Sequence, residues 1–168
     1  MPIQKGSPNF ADLINELADE INITLNDRRK DHYFESIVLI YSFIENILKW
    51  LVFAKLLCLK STKRRREKEI AALRKYCRSL SFYDAHQAAL ALDLIDLELY
   101  KRIGKIRQER NDTVHQFWLY AHRGELFILR KKLEKLAGVA SNLVGSFNKL
   151  IEEIGIDEIL EIQLFLVK

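Results

Sequence analysis

The stretch LDLIDLELYKRIGKIRQERNDTVH, Leu92–His115, decides the fold. Wound at about 3.6 residues per turn, Leu92, Ile95, Leu99, Ile103 and Ile106 make one narrow apolar stripe, and Lys101 and Lys105 turn away from it. That period belongs to a helix packed on one side. Arg110 lies four residues beyond Ile106 and so falls inside the stripe. A guanidinium on an apolar face needs a partner, an interface or a ligand. His115 leaves that face if the helix continues, because five residues turn it by about 500° and set the two side chains about 140° apart. Asn111, Asp112 and Thr113 are poor inside helices and good at their starts. The sequence therefore predicts a break across Asn111–Thr113, with His115 in the next turn. The other way to unite the two groups is to take one of them from a second subunit.

Outward from this stretch the chain reads as all-α, one domain over 1–168. Ser7-Pro8-Asn9 opens a helix with Phe10, Leu13, Ile14, Leu17 and Ile21 at helical spacing. A long helix follows from about Asp27 to Lys60, apolar on most of its circumference: Phe34, Ile37, Val38, Tyr41, Ile44, Leu48, Leu51 and Val52 in the main stripe, Leu39, Ile40, Phe43, Ile47 and Phe53 beside it. A helix apolar all round is central to a core or shared with a partner, and here it suggests a dimer. Ser61-Thr62 cap a basic helix to about Leu80, and Ser81-Phe82-Tyr83-Asp84 resembles a capping box opening a short helix. Asp93 or Asp96 restarts the chain into the motif helix. His122-Arg123-Gly124 reads as a turn. A last long helix, from about Glu125 to Ile154, turns Leu129, Leu133, Leu136, Val139, Leu143 and Phe147 inward, and Gly155 stops it. The end, Asp157–Lys168, is ambiguous between helix and strand. The expected architecture is an up-and-down bundle with two long helices and shorter helices carrying the motif.

Composition bounds the partners. The net charge is +4, but Lys60–Arg78 carries nine Lys/Arg against two Glu, a local +7 that leaves the rest at −3. Such asymmetry suits a polyanion or simply a solvated helix face. The run Lys63-Arg64-Arg65-Arg66, with Arg107, supplies candidate phosphate contacts of the salt-sensitive, sequence-independent kind. Cys58 and Cys77 are the only cysteines, and Met1–Phe10 has no apolar targeting core, which reads as reduced thiols in a cytoplasmic protein. Glu45, Lys49 and Lys55 interrupt the most apolar stretch, so no membrane span is expected.

Most chemistries lack their residues. The cysteines are not in CxxC spacing, and no HExxH, glycine-rich phosphate loop or GxSxG elbow is present, so no metal and no cofactor is expected. No base stands beside a serine or cysteine nucleophile. His32 and His86 read as structural or solvated. What remains is Arg110 with His115: a permanent planar cation suited to phosphate, and the side chain whose ordinary titration range lies nearest neutrality.

Arg110-Asn111-x-x-x-His115, in a helical chain of this size and two-thirds along it, resembles the signature of the HEPN superfamily (higher eukaryotes and prokaryotes nucleotide-binding domains). The resemblance implies a metal-independent endoribonuclease, often a toxin or antiviral effector, acting as a homodimer whose two motifs line one composite cleft. It implies that His115 moves a proton at the ribose 2′-hydroxyl or the leaving 5′-oxygen, that Arg110 stabilises charge on the phosphorane-like transition state, and that Asn111 holds the histidine or a phosphate oxygen. Attack by the 2′-hydroxyl would leave a 2′,3′-cyclic phosphate. RNA and an antitoxin protein are the implied partners. In a branch paired with nucleotidyltransferase antitoxins, a tyrosine stands two residues after the histidine; this chain has Phe117 there, and its nearest tyrosine is Tyr120. The competing expectation is a non-catalytic HEPN-like nucleotide-binding or dimeric scaffold module.

Overall fold

A computed structural model describes residues 30–59 and 67–153, together with helical positions scattered between 15 and 26. The fold is all-α. Among the described residues five helices have defined bounds and no strand occurs: α1 (Lys30–Leu59), α2 (Glu67–Ser79), α3 (Phe82–Ala91), α4 (Leu97–His122) and α5 (Leu126–Glu152). The anticipated first helix is described only in part, although Ile21 packs against the core. Lys63–Arg66, Gly155 and the tail from Asp157 lie outside the described residues.

The bundle is built around α1, which packs on α2, α3, α4 and α5. Ile37, Ile40, Ile44, Ile47, Leu48 and Leu51 are almost wholly removed from solvent. The apolar circumference of α1 is thus largely covered by its own chain, and it no longer argues for a partner. By length and composition Tyr33–Leu59 also qualifies as a membrane span; here its core residues are buried against neighbouring helices. Phe34 and Val38 of the main stripe, and Leu39 beside it, are 38%, 40% and 44% exposed, so the first turns of α1 are less covered than the periodicity implies.

α5 obeys its pattern throughout: Leu129, Leu133, Leu136, Val139, Leu143 and Phe147 are all buried. Contacts between α4 and α5 run Glu109 to Lys135 and Thr113 to Lys132, and those between α1 and α4 run Phe34 to Phe117 and Glu45 to Arg110. Each pair is therefore antiparallel, the up-and-down arrangement expected. The motif, however, does not sit on a short helix. α4 has 26 residues, comparable to α1 with 30 and α5 with 27.

The short connections follow local chemistry. Ser81 caps α3 with its hydroxyl accepting from the Asp84 amide, while the Asp84 carboxylate accepts from the Ser81 amide, a complete capping box. Leu92–Asp96 is not the start of the motif helix; it turns, with Asp93 at φ 54°, and Asp96 accepts from the Leu99 amide at 2.7 Å to begin α4. Leu94 and Ile95 remain buried in this connection. Gly124 supplies the positive φ, 72°, that the turn into α5 needs.

Cys77 is buried, which pushes its thiol up to about 11. His86 seats α3 on α4. Its ring stacks on Tyr100 at 4.1 Å and its Nε2 donates to the Tyr100 carbonyl at 2.8 Å. That tautomer leaves the buried Nδ1 as an acceptor without a partner among the described residues. Burial holds the His86 pKa below its ordinary value, against the Tyr100 carbonyl bond and with help from Arg107. A proton added in the folded state would be an unpaired interior charge. The folded protein thus binds this proton less readily than the unfolded chain. Stability from this site is complete above the unfolded value of about 6.5 and is lost as pH falls through the lower folded value. Thermal unfolding of the wild type between neutral and mildly acidic pH is expected to show this loss, and His86→Gln to remove that part of it. An unchanged pH profile in the variant would count against the assignment.

Candidate functional site: the face of α4 around Arg110 and His115

α4 runs unbroken through the motif. The expected break at Asn111–Thr113 is absent, for a visible reason. Thr113 returns its hydroxyl to the Glu109 carbonyl at 2.7 Å, the intrahelical alternative to capping. The same oxygen accepts from Lys132 Nζ at 2.9 Å, so Thr113 is buried yet satisfied. Ile106 and Phe117, buried on either side, pin the helix to the core. Phe117 meets Phe34 edge-on at 4.9 Å, an apolar contact in which a tyrosine hydroxyl would have no use.

With the helix continuous, Arg110 and His115 diverge by about 140° and lie about 7.5 Å apart along the axis. One chain does not bring them together. Arg110 sits where the stripe places it, and its partner is Glu45 of α1, at 3.3 Å. Glu45 also accepts from Lys49 at 2.9 Å. The two charges that interrupt the apolar stripes of α1 and α4 thus neutralise each other. The Arg110 side chain stays 41% exposed, so part of the guanidinium still faces solvent. Burial pushes the Tyr41 phenol up, against its side-chain hydrogen bond to Thr113. Lys135 pairs with Glu109 at 2.9 Å. The motif Arg is therefore one member of a polar seam between α1, α4 and α5.

Because Arg110 and Glu45 both keep solvent access, their pair contributes little to stability. Glu45→Gln is expected to lower the unfolding free energy by no more than about 1 kcal/mol, read from urea denaturation. A loss several times larger would mean that Glu45 is a structural keystone rather than an anchor for Arg110.

The residue that shares a ridge with His115 is not Arg110 but Arg107. Arg107, Asn111 and His115 follow at i, i+4 and i+8, neighbours along one face. Asn111 and His115 are exposed and, among the described residues, form no hydrogen bond or ion pair. Arg107 is half-buried, with its guanidinium 4.9 Å from the ring centre of Tyr83 on α3. Beyond Arg107 the ridge is open among the described residues, with Asn111 and His115 both exposed. In the sequence Tyr83 has no role beyond its place in the capping box, and Glu45 is only a charge interrupting an apolar run. The signal for Glu45 was present, since a carboxylate inside one stripe and a guanidinium inside another invite pairing.

Among the described residues no three His, Cys, Asp or Glu side chains gather closely enough to hold a metal ion. A cavity of about 470 Å³ lies elsewhere, lined by Lys55, Asp93, Asp96, Ser146, Lys149 and Glu153 among others, and includes no motif residue. The motif residues form an open surface, which suits a polymer better than an enclosed small molecule. Compared with protein-family models, with curated proteins and with solved structures, the chain finds no match.

Proposed function

We propose that the protein is a metal-independent endoribonuclease of the HEPN type, acting as a homodimer. The observation that supports this most is the placement of four motif-region side chains. Arg107, Asn111 and His115 line one open ridge, and Arg110 stands beside it, held at its base by Glu45 and still in part exposed. A second copy docked along this face supplies what one chain lacks, a guanidinium and an imidazole facing each other across a groove.

In that groove His115 of one copy takes the proton from a ribose 2′-hydroxyl. The 2′-oxygen attacks the adjacent phosphorus, and the bond to the 5′-oxygen breaks. The imidazolium so formed then gives that proton to the departing 5′-oxygen. Arg110 faces the non-bridging oxygens, where charge accumulates in the transition state. Asn111, one turn before His115, holds the imidazole or a phosphate oxygen. The products are a 2′,3′-cyclic phosphate and a free 5′-hydroxyl. Roles as a toxin or antiviral effector, with an antitoxin as partner and the cytoplasm as compartment, extend the same proposal.

A second reading is a non-catalytic RNA-binding or scaffold module, and the Arg110–Glu45 ion pair favours it, because a neutralised guanidinium is less available to phosphate. The experiment that decides is cleavage of RNA by the full chain with EDTA present, with end-group analysis of the products. Cyclic-phosphate ends that vanish in Arg110→Ala and His115→Ala support the enzyme; binding without cleavage supports the module.

A further inference from the structure

We infer that Tyr83 and Arg107 form a stacking clamp for an unpaired base, which makes single-stranded RNA the substrate of the ridge that ends at His115. The inference rests on the ribonuclease reading for its choice of polymer, but its geometry is independent of the catalytic step.

Three features converge on Tyr83. It is 50% exposed, so one part of its ring is open to solvent. Its other contact is the Arg107 guanidinium at 4.9 Å, within cation–π range, which fixes the ring. Arg107 is itself restrained: its Nε is buried and has no hydrogen-bond partner among the described residues. A side chain that leaves a buried donor unmet is held there by its remaining contacts, and the far end of its fork is what stays available for phosphate.

The position sets the register. From Arg107 the ridge continues to Asn111 and then His115, about 12 Å along α4 at about 1.5 Å per residue. With an axial rise of about 3.4 Å per nucleotide in a stacked strand, that span covers a few nucleotides. A base on Tyr83 therefore anchors the strand a short, fixed distance from the bond His115 would act on. Duplex RNA hides its base faces, so it cannot use a ring in this way, and aromatic stacking on splayed bases is the usual basis of single-strand recognition. The capping box supports the same placement: Ser81 and Asp84 close the start of α3 on each other and hold Tyr83 between them in the first turn.

The test is fluorescence anisotropy with the full-length wild type, using a short labelled 2′-O-methyl oligoribonucleotide, which lacks the attacking hydroxyl, as a single strand and as a duplex. The wild type is expected to prefer the single strand. Tyr83→Ala is expected to weaken single-strand binding about tenfold, or about 1.4 kcal/mol, while leaving duplex binding and the far-ultraviolet spectrum unchanged. Tyr83→Trp should restore or tighten it. Arg107→Ala should reduce the salt slope of single-strand binding by about 0.7. Equal binding by Tyr83→Ala and wild type, a preference for duplex, or no RNA binding at all would overturn the clamp. Tyr83→Ala binding as tightly as an actively cleaving wild type would reject the clamp and leave the ribonuclease standing. A Tyr83-dependent affinity without any cleavage of unmodified RNA would do the reverse.

Discussion

Alanine at His115 is expected to slow RNA cleavage in EDTA by about 10²- to 10⁴-fold, the usual contribution of a positioned acid or base. Arg110→Ala is expected to cost about 10²- to 10³-fold through lost stabilisation of the pentavalent charge. Neither loss should come from unfolding. His115 is exposed, and Arg110 gives up only a solvent-accessible ion pair, so both variants should stay within about 1 kcal/mol of the wild type. The stronger test is to mix them. Within one chain the two groups point apart by about 140°, so no single subunit presents both to one phosphate. If the groove is shared between two copies, a dimer of one Arg110→Ala and one His115→Ala subunit still holds an intact arginine facing an intact histidine. Random exchange makes about half of the dimers mixed, and a two-fold interface gives each of them one productive arrangement, so the mixture should recover roughly a quarter to a half of wild-type activity. Two inactive proteins that together cut RNA are hard to explain any other way. If each variant alone is dead and the mixture is dead too, the shared groove is wrong. If both variants cut at the wild-type rate, Arg110 and His115 have no part in the reaction.

The helices were legible where one physical solution dominated. The Leu129–Phe147 stripe admits no alternative to a one-sided helix, and all six of its residues are buried. Ser81 and Asp84 form their box because the reciprocal bonds are local to four residues. Two things escaped because they are not local. Glu45 and Arg110 are 65 residues apart, and only the folded seam shows that they meet. The exposure of Phe34, Val38 and Leu39 depends on what neighbours α1, not on their spacing. The candidate ridge was partly legible. Arg107, Asn111 and His115 stand at successive intervals of four, but reading forward from Arg110 obscures that, because the guanidinium inside the stripe draws attention to the wrong face of the helix. Tyr83 was beyond reach, since its value lies in where α3 meets α4.

Proline at Asp112 separates the two accounts of the motif most sharply. Local propensity favours a cap across Asn111–Thr113, and a helix newly started at Asn111 would put Asp112 at its first position, where proline is welcome. In the continuous α4, the same residue is in the middle of 26 residues. There proline removes an amide that donates to the preceding turn and drives its ring into the carbonyl four residues back. The Asp112 side chain is exposed and enters no hydrogen bond or ion pair among the described residues, so the substitution tests the backbone alone. A cap is worth about 1 kcal/mol. Against it stand the Thr113 bonds to Glu109 and Lys132 and the burial of Ile106 and Phe117, one on each side of the disputed turn. Each of those apolar side chains contributes about 1.5–3 kcal/mol if fully buried, so tertiary packing wins and the helix runs through. Asp112→Pro should therefore destabilise the fold by about 3 kcal/mol or more relative to Asp112→Ala, seen as a lower urea midpoint with an unchanged slope. Equal stability of the two variants would mean that the chain does bend at the motif, and with that bend Arg110 and His115 would no longer need a second subunit to meet.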